Sequence, residues 1–368
     1  MPKKRHSPNG FEMGFKIEKP VPAICGLSAA GRKSMIRIWF NHWFSTSYGL
    51  IELMKKDVSG QICVIGSNSQ RDSVIQKVCD EWYPDSPAEG EAYIQYCLSF
   101  CKEHKIDVFV PRRKMVEISK NIGRFSEIGV KVMVDDYAVL RLLNDKAAAY
   151  DLLKECKGVH IPDYAIVNRA EEFEKAYRRL RTDCEQVCVK FVKDEGAMSY
   201  RRIVEQVDRF SRLRVYPGAE VPFDVYLSTL REAESFDDLM VMPYLSGQEI
   251  SVDCLNTDRG LIAIPRFKSA SRHENIIFDE EILGMTRAIM DKVKLKYPCN
   301  IQFKMRGEIP YLLEVNTRMS GGLWMASVAE NINIPNIALN LLLGRETEWA
   351  YEPVEKVVSY IEMPQIIV

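Results

Sequence analysis

Residues 300–322 read Asn300-Ile-Gln302-Phe-Lys-Met-Arg-Gly-Glu-Ile-Pro-Tyr-Leu-Leu-Glu314-Val-Asn316-Thr-Arg318-Met-Ser-Gly-Gly322. Apolar and polar residues alternate on both sides of Arg306-Gly307-Glu308, so the segment predicts two strands joined by a turn. Side chains two apart in a strand share a face. Gln302 stands on the first strand, and Glu314 and Asn316 alternate onto the same face of the second. All three offer hard oxygen ligands, the kind that suits a magnesium ion also holding triphosphate oxygens. Arg318 takes the next position on that face, a fixed cation where phosphoryl charge would develop. Ser320-Gly321-Gly322 then exposes backbone N–H groups at a helix start, which is an anion site. An ordinary hairpin with a polar face does not require an acid, an amide and an arginine in line beside a glycine pair.

Around this segment the chain divides into two textures. Beyond Ile161-Pro162 strands cluster: 187–192, a pair at 239–244 and 249–255 around Ser246-Gly247, then 262–267, 300–304 and 311–315. Helices are predicted from Gly321-Gly322 to about residue 331 and over 336–343, and an apolar strand-like piece covers 357–363. The first 140 residues instead alternate strands with amphipathic helices. Strands are predicted at 21–25, 61–66, 107–111 and 130–134, with helices at 35–44 and 91–104. That alternation indicates a parallel sheet with helical crossovers. The fold class is therefore α/β followed by α+β. The expected domains are a flexible polar leader at 1–19, an α/β domain at 20–140, a second domain at 141–345 and a C-terminal extension at 346–368.

Composition sets outer bounds. With 368 residues, 46% of them hydrophobic, the chain has enough apolar material for two to three cored domains. Fifty basic residues against 51 acidic ones leave a net charge of −1, giving no general reason to expect a nucleic-acid partner. No apolar run approaches the roughly 18–20 residues that span a bilayer, and the basic start Lys3-Lys4-Arg5 leads into Ser-Pro-Asn-Gly, not an apolar signal core. The ten cysteines are scattered without a CxxC pair, which reads as free thiols. A cytoplasmic protein is the expectation.

One other nucleotide site competes. Gly26-Leu-Ser-Ala-Ala-Gly31-Arg32-Lys33-Ser34 is one residue away from a phosphate-binding P-loop, which places Lys directly after the second Gly. The inserted Arg32 would rotate Lys33 by about 100° on a helix start, away from the phosphates. A tight small-residue turn between strand and helix is the plainer reading.

The 300–322 segment closely resembles the C-terminal signature of ATP-grasp enzymes, especially the branch typified by the carbamoyl-phosphate synthase large subunit. The likeness extends over about residues 20–345 and is most specific in 300–322. It implies a Rossmann-like pre-ATP-grasp domain followed by a two-subdomain ATP-grasp fold, with a lid at about 185–245. It also implies that Gln302, Glu314 and Asn316 hold Mg2+, with Mn2+ as an alternative ion, and that Arg318 stabilises the transferring phosphoryl group. In Asn144-Asp145-Lys146, Lys146 resembles the family's phosphate-contacting lysine of the entry helix. Lys190 in Val-Cys-Val-Lys190-Phe matches the second, on a lid strand. The turn Glu195-Gly196-Ala-Met-Ser199 stands in the place of the glycine-rich loop, with one glycine where members often have two or three. Leu239-Met-Val-Met-Pro-Tyr-Leu-Ser-Gly-Gln-Glu249 looks like the hinge, implying adenine contacts from the backbone near Met242 and Tyr244 and ribose contacts from Glu249. Arg266 and Lys268 alternate on one strand face and would meet phosphate or a carboxylate. Asp253 is either functional or structural.

The resemblance implies an ATP- and Mg-dependent carboxylate–amine ligase that forms an acyl phosphate and releases ADP and phosphate. Phosphoryl transfer of this kind needs positioning and charge neutralisation more than a protein nucleophile. Its implied partners are ATP, a small carboxylate and an amine-bearing acceptor, an amino acid or peptide being the commonest theme, with a homodimer suggested by the family alone. Three rivals stand beside it: a P-loop kinase or NTPase at 26–34, a non-catalytic ATP-binding protein, and carbamoyl-phosphate-type chemistry on bicarbonate.

Overall fold

The computed structural model describes residues 35–56, 62–193, 198–205, 218–269 and 271–367. Residues from Met35 onward form one compact unit. Three sheets organise the chain. The first is five-stranded and entirely parallel, in the order β3-β2-β1-β4-β5. Its strands are β1 (Ile36–Asn41), β2 (Ile62–Asn68), β3 (Glu81–Pro84), β4 (Val108–Val110) and β5 (Lys131–Val132), with α1 (Ser47–Lys56) and α2 (Gly90–Glu103) among its crossovers. The strand order reverses between β1 and β4, and in such sheets the crevice beyond that point is where ligands bind. At that end the Arg112 N–H donates to Asn41 Oδ1 at 2.7 Å.

The helix expected over 35–44 is instead the central strand β1. Ile36, Trp39, Phe40 and Trp43 fall at helical spacing, which misleads. A central parallel strand is covered on both faces and so needs no alternation. Ile38 and Phe40 pack into one core, while Trp39 stacks on Phe100 and Phe109 in another. This also removes the helix that a P-loop at 26–34 would require. The turn itself, the strand expected at 21–25 and the leader lie outside the described residues.

The second sheet has the order β6-β10-β7-β8-β9, formed by β6 (Ala165–Val167), β7 (Val187–Phe191), β8 (Arg201–Val204), β9 (Glu220–Pro222) and β10 (Leu239–Pro243). It begins some twenty residues before the expected lid, because β6 pairs with β10. The third is six-stranded, β15-β14-β11-β12-β13-β16. It contains β11 (Glu249–Thr257), β12 (Gly260–Lys268), β13 (His273–Ile276), β14 (Cys299–Arg306), β15 (Ile309–Asn316) and β16 (Lys356–Ser359). The last strand pairs with β13, so the expected C-terminal extension completes this sheet.

The predicted strand pair at 239–244 and 249–255 does not form. β10 belongs to the second sheet and β11 to the third. Between them the chain docks onto β14: the Gly247 N–H donates to the Met305 carbonyl at 3.0 Å. A Cβ on Gly247 would lie 2.5 Å from that oxygen, so only glycine permits the crossing. One shared core, with Ile38, Leu50, Ile264, Leu323 and Ile337, locks the first sheet to the third. At a second tie the buried Asp135 accepts from the Lys296 N–H at 2.6 Å.

Candidate functional site

A cleft of about 530 Å3 opens between the second and third sheets. β14 and β15 form its floor in the register Gln302↔Glu314 and Asn300↔Asn316, with a bulge after Gln302. Gly307 makes the turn at φ 61°. Asn316 Nδ2 donates to Glu314 Oε1 at 2.9 Å, which orients the carboxylate. Among the described residues no cluster of three or more His, Cys, Asp or Glu could hold a metal. The donor set here is instead one carboxylate with the amide oxygens of Gln302 and Asn316, an all-oxygen set that fits a hard divalent cation sharing phosphate ligands.

Basic side chains stand around this floor. Lys146 is the first residue of α3 (Lys146–Leu153), whose start is fixed by Asp145 accepting from the Ala148 N–H at 3.0 Å. Lys190 projects from β7, with Nζ 5.6 Å from the Tyr150 ring centre. Burial pushes its ammonium below the ordinary lysine range, and Glu314 opposes that shift. No carboxylate lies within ion-pair distance of Lys190 among the described residues, and Glu314 is the carboxylate that acts on it from farther off. The Arg318 guanidinium lies 5.5 Å from the Phe44 ring centre.

The cleft gathers nine of the residues named from sequence: Lys146, Lys190, Met242, Tyr244, Glu249, Gln302, Glu314, Asn316 and Arg318. Arg266 is the exception. It is 2% exposed and lies beneath the Ser320-Gly321-Gly322 segment, bound to Asp253 at 2.7 Å and to Glu274. It also donates to Ser251 and Ser320 hydroxyls. Burial works against its charge, and the two carboxylates outweigh burial and hold its pKa up. Two acids already match this guanidinium, so it positions the segment and does not reach nucleotide. Asp253 is accordingly a structural carboxylate, taking hydrogen bonds from Arg266, Asn300 and Ser320.

The glycine pair has a different reason from the one expected. A Cβ on Gly322 would sit 2.2 Å from Arg266 Nη1, and one on Gly321 2.7 Å from Thr46 Oγ1. Close packing demands these glycines, and the Gly322 N–H already bonds Ser320 Oγ at 3.2 Å. The hinge is also corrected. The Tyr244 N–H donates to the Gln186 carbonyl at 2.8 Å, and Met242 lies within the ladder opposite Cys188. The next amide, Leu245, has no backbone acceptor among the described residues and lines the cleft. Glu249 pairs with Lys268. Of the sparse glycine loop, 195–197 lie outside the described residues; the Ser199 hydroxyl accepts from the Phe191 N–H at 2.9 Å.

Sequence reasoning missed Asn300. It stands opposite Asn316, and its amide bonds Asp253 and Ser251, joining the floor to the Arg266 network. Its polar side chain within an apolar run was the available signal. Beside the floor lies a smaller cavity of about 230 Å3, bringing Arg112, Lys114, Lys146 and Arg318 together against Glu117 and Glu314.

Residues 235–365 match a family described as ATP-grasp in the biosynthetic pathway with Ter operon. Over these residues the chain is similar to the ATP-grasp family. The match includes the crossing segment, the metal-type floor and the C-terminal strand. The carbamoyl phosphate synthase large chain of Clostridium perfringens is 26% identical over 150 residues, spanning 35% of this chain and 14% of that protein. The chain thus aligns with about one seventh of the curated relative's length. Among solved structures, N5-carboxyaminoimidazole synthetase from Staphylococcus aureus, complexed with ADP, superposes with TM-score 0.65 at 12% identity, covering 90% of this chain and 83% of that one. The biotin carboxylase domain of Hydrogenobacter thermophilus 2-oxoglutarate carboxylase, a dimer with MgADP and bicarbonate, gives 0.62 at 15%, covering 88% and 73%. The L-amino acid ligase of Bacillus licheniformis gives 0.60 at 12%, covering 84% and 75%. At these identities the likeness establishes the ATP-grasp fold. No helix of the described residues is long and apolar enough to cross a membrane.

Proposed function

We propose that this ATP-grasp chain is an ATP- and Mg-dependent ligase that joins a carboxylate to an amine. The observation that carries the proposal is the desolvated, carboxylate-free Lys190 facing a floor of Glu314, Gln302 and Asn316. A cation without an anionic partner and an oxygen set with a single carboxylate together suit a metal–triphosphate complex. ADP- and MgADP-bound neighbours with this fold support the reading.

Lys146 and Lys190 would bind and neutralise the triphosphate. The Leu245 amide would meet the adenine edge, and Glu249 the ribose hydroxyls, exchanging its bond to Lys268 for them. Glu314, Gln302 and Asn316 would hold Mg2+, which when bound supplies charge neutralisation at the phosphate oxygens. Arg318 would stabilise charge on the transferring group. The substrate carboxylate oxygen attacks the γ-phosphorus, the bridging bond to ADP breaks, and ADP leaves with that electron pair. An amine nitrogen then attacks the acyl carbon, the carbon–oxygen bond to phosphate breaks, and phosphate leaves with the proton shed by nitrogen.

The test is ADP release by the full chain with MgATP and paired panels of acids and amines. Release that needs both partners and is lost in Glu314→Ala supports the proposal. Release driven by bicarbonate alone would move the chemistry to a carbamoyl-phosphate type. Tight MgATP binding without release for any pair would make the chain a nucleotide-binding protein.

A further inference from the structure

The nucleotide cleft does not end at its metal-type floor. Gln302, Ser320 and Gly321 also form the rim of a second cavity of about 750 Å3, larger than the cleft itself. A molecule in that cavity reaches the edge of the floor, where an acyl phosphate would form. Its character differs from that of the small basic cavity on the other side. There, Arg112, Lys114, Lys146 and Arg318 outnumber Glu117 and Glu314 in the lining, with Lys114 also paired to Glu89. Here the bases are already matched: Arg266 by Asp253 and Glu274, Lys268 by Glu249. Glu52 on α1 lines the cavity with no cation at ion-pair distance among the described residues. Glu52 carries a hydrogen bond from Tyr48 but no cationic partner, so a cation entering this space meets an uncompensated carboxylate, whereas the two bases lining it are both matched.

The remaining wall is apolar. Tyr48 and Trp324 contribute aromatic surface, and the segment following β16 contributes Ile361 and Met363. Those two are 88% and 73% exposed, although each faces a built cavity. β16 pairs with β13 and holds the segment in place, and Glu362 is fastened to Arg272 at 3.0 Å. An anchored segment that leaves large apolar side chains in water beside a cavity stands ready for an apolar ligand to cover them.

We propose that this second cavity takes the amine acceptor, that the acceptor is an amine with an apolar body of about aromatic size, and that residues 360–365 determine its specificity. The inference rests on the ligase reading above. Amine binding is placed through Glu52, and the apolar body through Tyr48, Trp324, Ile361 and Met363.

The probe is phenethylamine, titrated onto the full chain in saturating MgADP and followed by tryptophan emission. Phenylacetate and phenylethanol, which carry the same ring, serve as comparisons, and Trp324→Phe assigns the signal. Expected are a saturable change that Trp324→Phe removes and a preference for the amine over phenylacetate of at least about tenfold. Ile361→Ser with Met363→Ser should weaken the amine about tenfold, the effect of losing roughly 1.4 kcal/mol of apolar contact. Glu52→Gln should reduce the amine-over-alcohol preference to within about twofold, since the roughly tenfold advantage of a charge-assisted hydrogen bond over a neutral one goes with the carboxylate. The MgADP thermal shift should persist in both variants. A preference for phenylacetate, or tail and Glu52 variants that bind as wild type, overturns the proposal. So does a tail variant that turns a dimer into a monomer without changing amine affinity, which would assign Ile361 and Met363 to a contact between copies. Absence of any MgADP shift in wild type would instead overturn the ligase reading itself.

Discussion

Replacing Lys190 with methionine keeps its length and removes its charge, and the structure predicts effects of opposite sign with and without nucleotide. In the free protein the ammonium is desolvated and no carboxylate pairs with it, so Lys190→Met should fold with equal or greater stability. Burial lowers the lysine pKa, with Glu314 opposing. Between that lowered value and the ordinary lysine range the unfolded chain binds a proton that the fold sheds, so wild-type stability rises with pH across this window. The variant should lose that rise. With MgATP the order inverts. A charge-assisted hydrogen bond is worth about 1.5–3 kcal/mol, so its loss weakens nucleotide binding roughly 10- to 150-fold. At about 100 times the dissociation constant, ligand adds about 2.7 kcal/mol, and a variant about thirtyfold weaker keeps about 0.9 kcal/mol. An unfolding entropy of about 2.1 cal/mol/K per residue over 368 residues makes 1 kcal/mol about 1.3 °C. The MgATP shift in Tm should therefore fall from about 3.5 °C to about 1 °C in a scanning fluorimetry assay. A variant that keeps the full shift, or whose free form loses several degrees, would refute the assignment of Lys190 as a phosphate cation held without a protein partner.

Other expectations test separate parts of the fold. Glu314→Gln keeps an acceptor for Asn316 but removes the floor's carboxylate, so calorimetric ATP titrations should lose their dependence on Mg2+. Gly322→Ala places a methyl 2.2 Å from a guanidinium pinned by two carboxylates; thermal or urea unfolding should show a loss of about 2–4 kcal/mol. Burial raises the Asp135 carboxyl to about 6, while the Lys296 amide pulls it back. Between the ordinary Asp value and that raised one the fold holds a proton the unfolded chain lacks, so this group costs about 3 kcal/mol at neutral pH and less as pH falls. Asp135→Asn retains the acceptor for Lys296 and should unfold at higher urea concentration at pH 7, with the difference closing near pH 4. Lys33→Ala should leave the MgATP shift intact, because the residues after that turn form a strand.

The candidate site was legible where chemistry and strand period coincide. Gln302, Glu314, Asn316 and Arg318 lie within one antiparallel pair, and a period of two places their side chains without knowledge of the rest of the fold. Lys190 was visible as a charge within an apolar strand. The errors share a cause, since each concerns what covers a face. Residues 36–43 carry helical spacing, yet 36–41 form a strand because helices and the third sheet bury both its faces. The pair expected at 239–255 divides between two sheets because Gly247 lets the chain pass against Met305.

The sequence by itself determined the composition of the floor, the alternation of strands and helices in the first half, and the turn at Gly307. All of these are set by local backbone geometry. Only the tertiary structure decided that Arg266 is sealed beneath the glycine pair, that β16 closes the third sheet, and that the segment at 360–365 lines a cavity reaching the floor. Each of these joins residues more than a dozen positions apart through packing and matched charge, which no local period encodes.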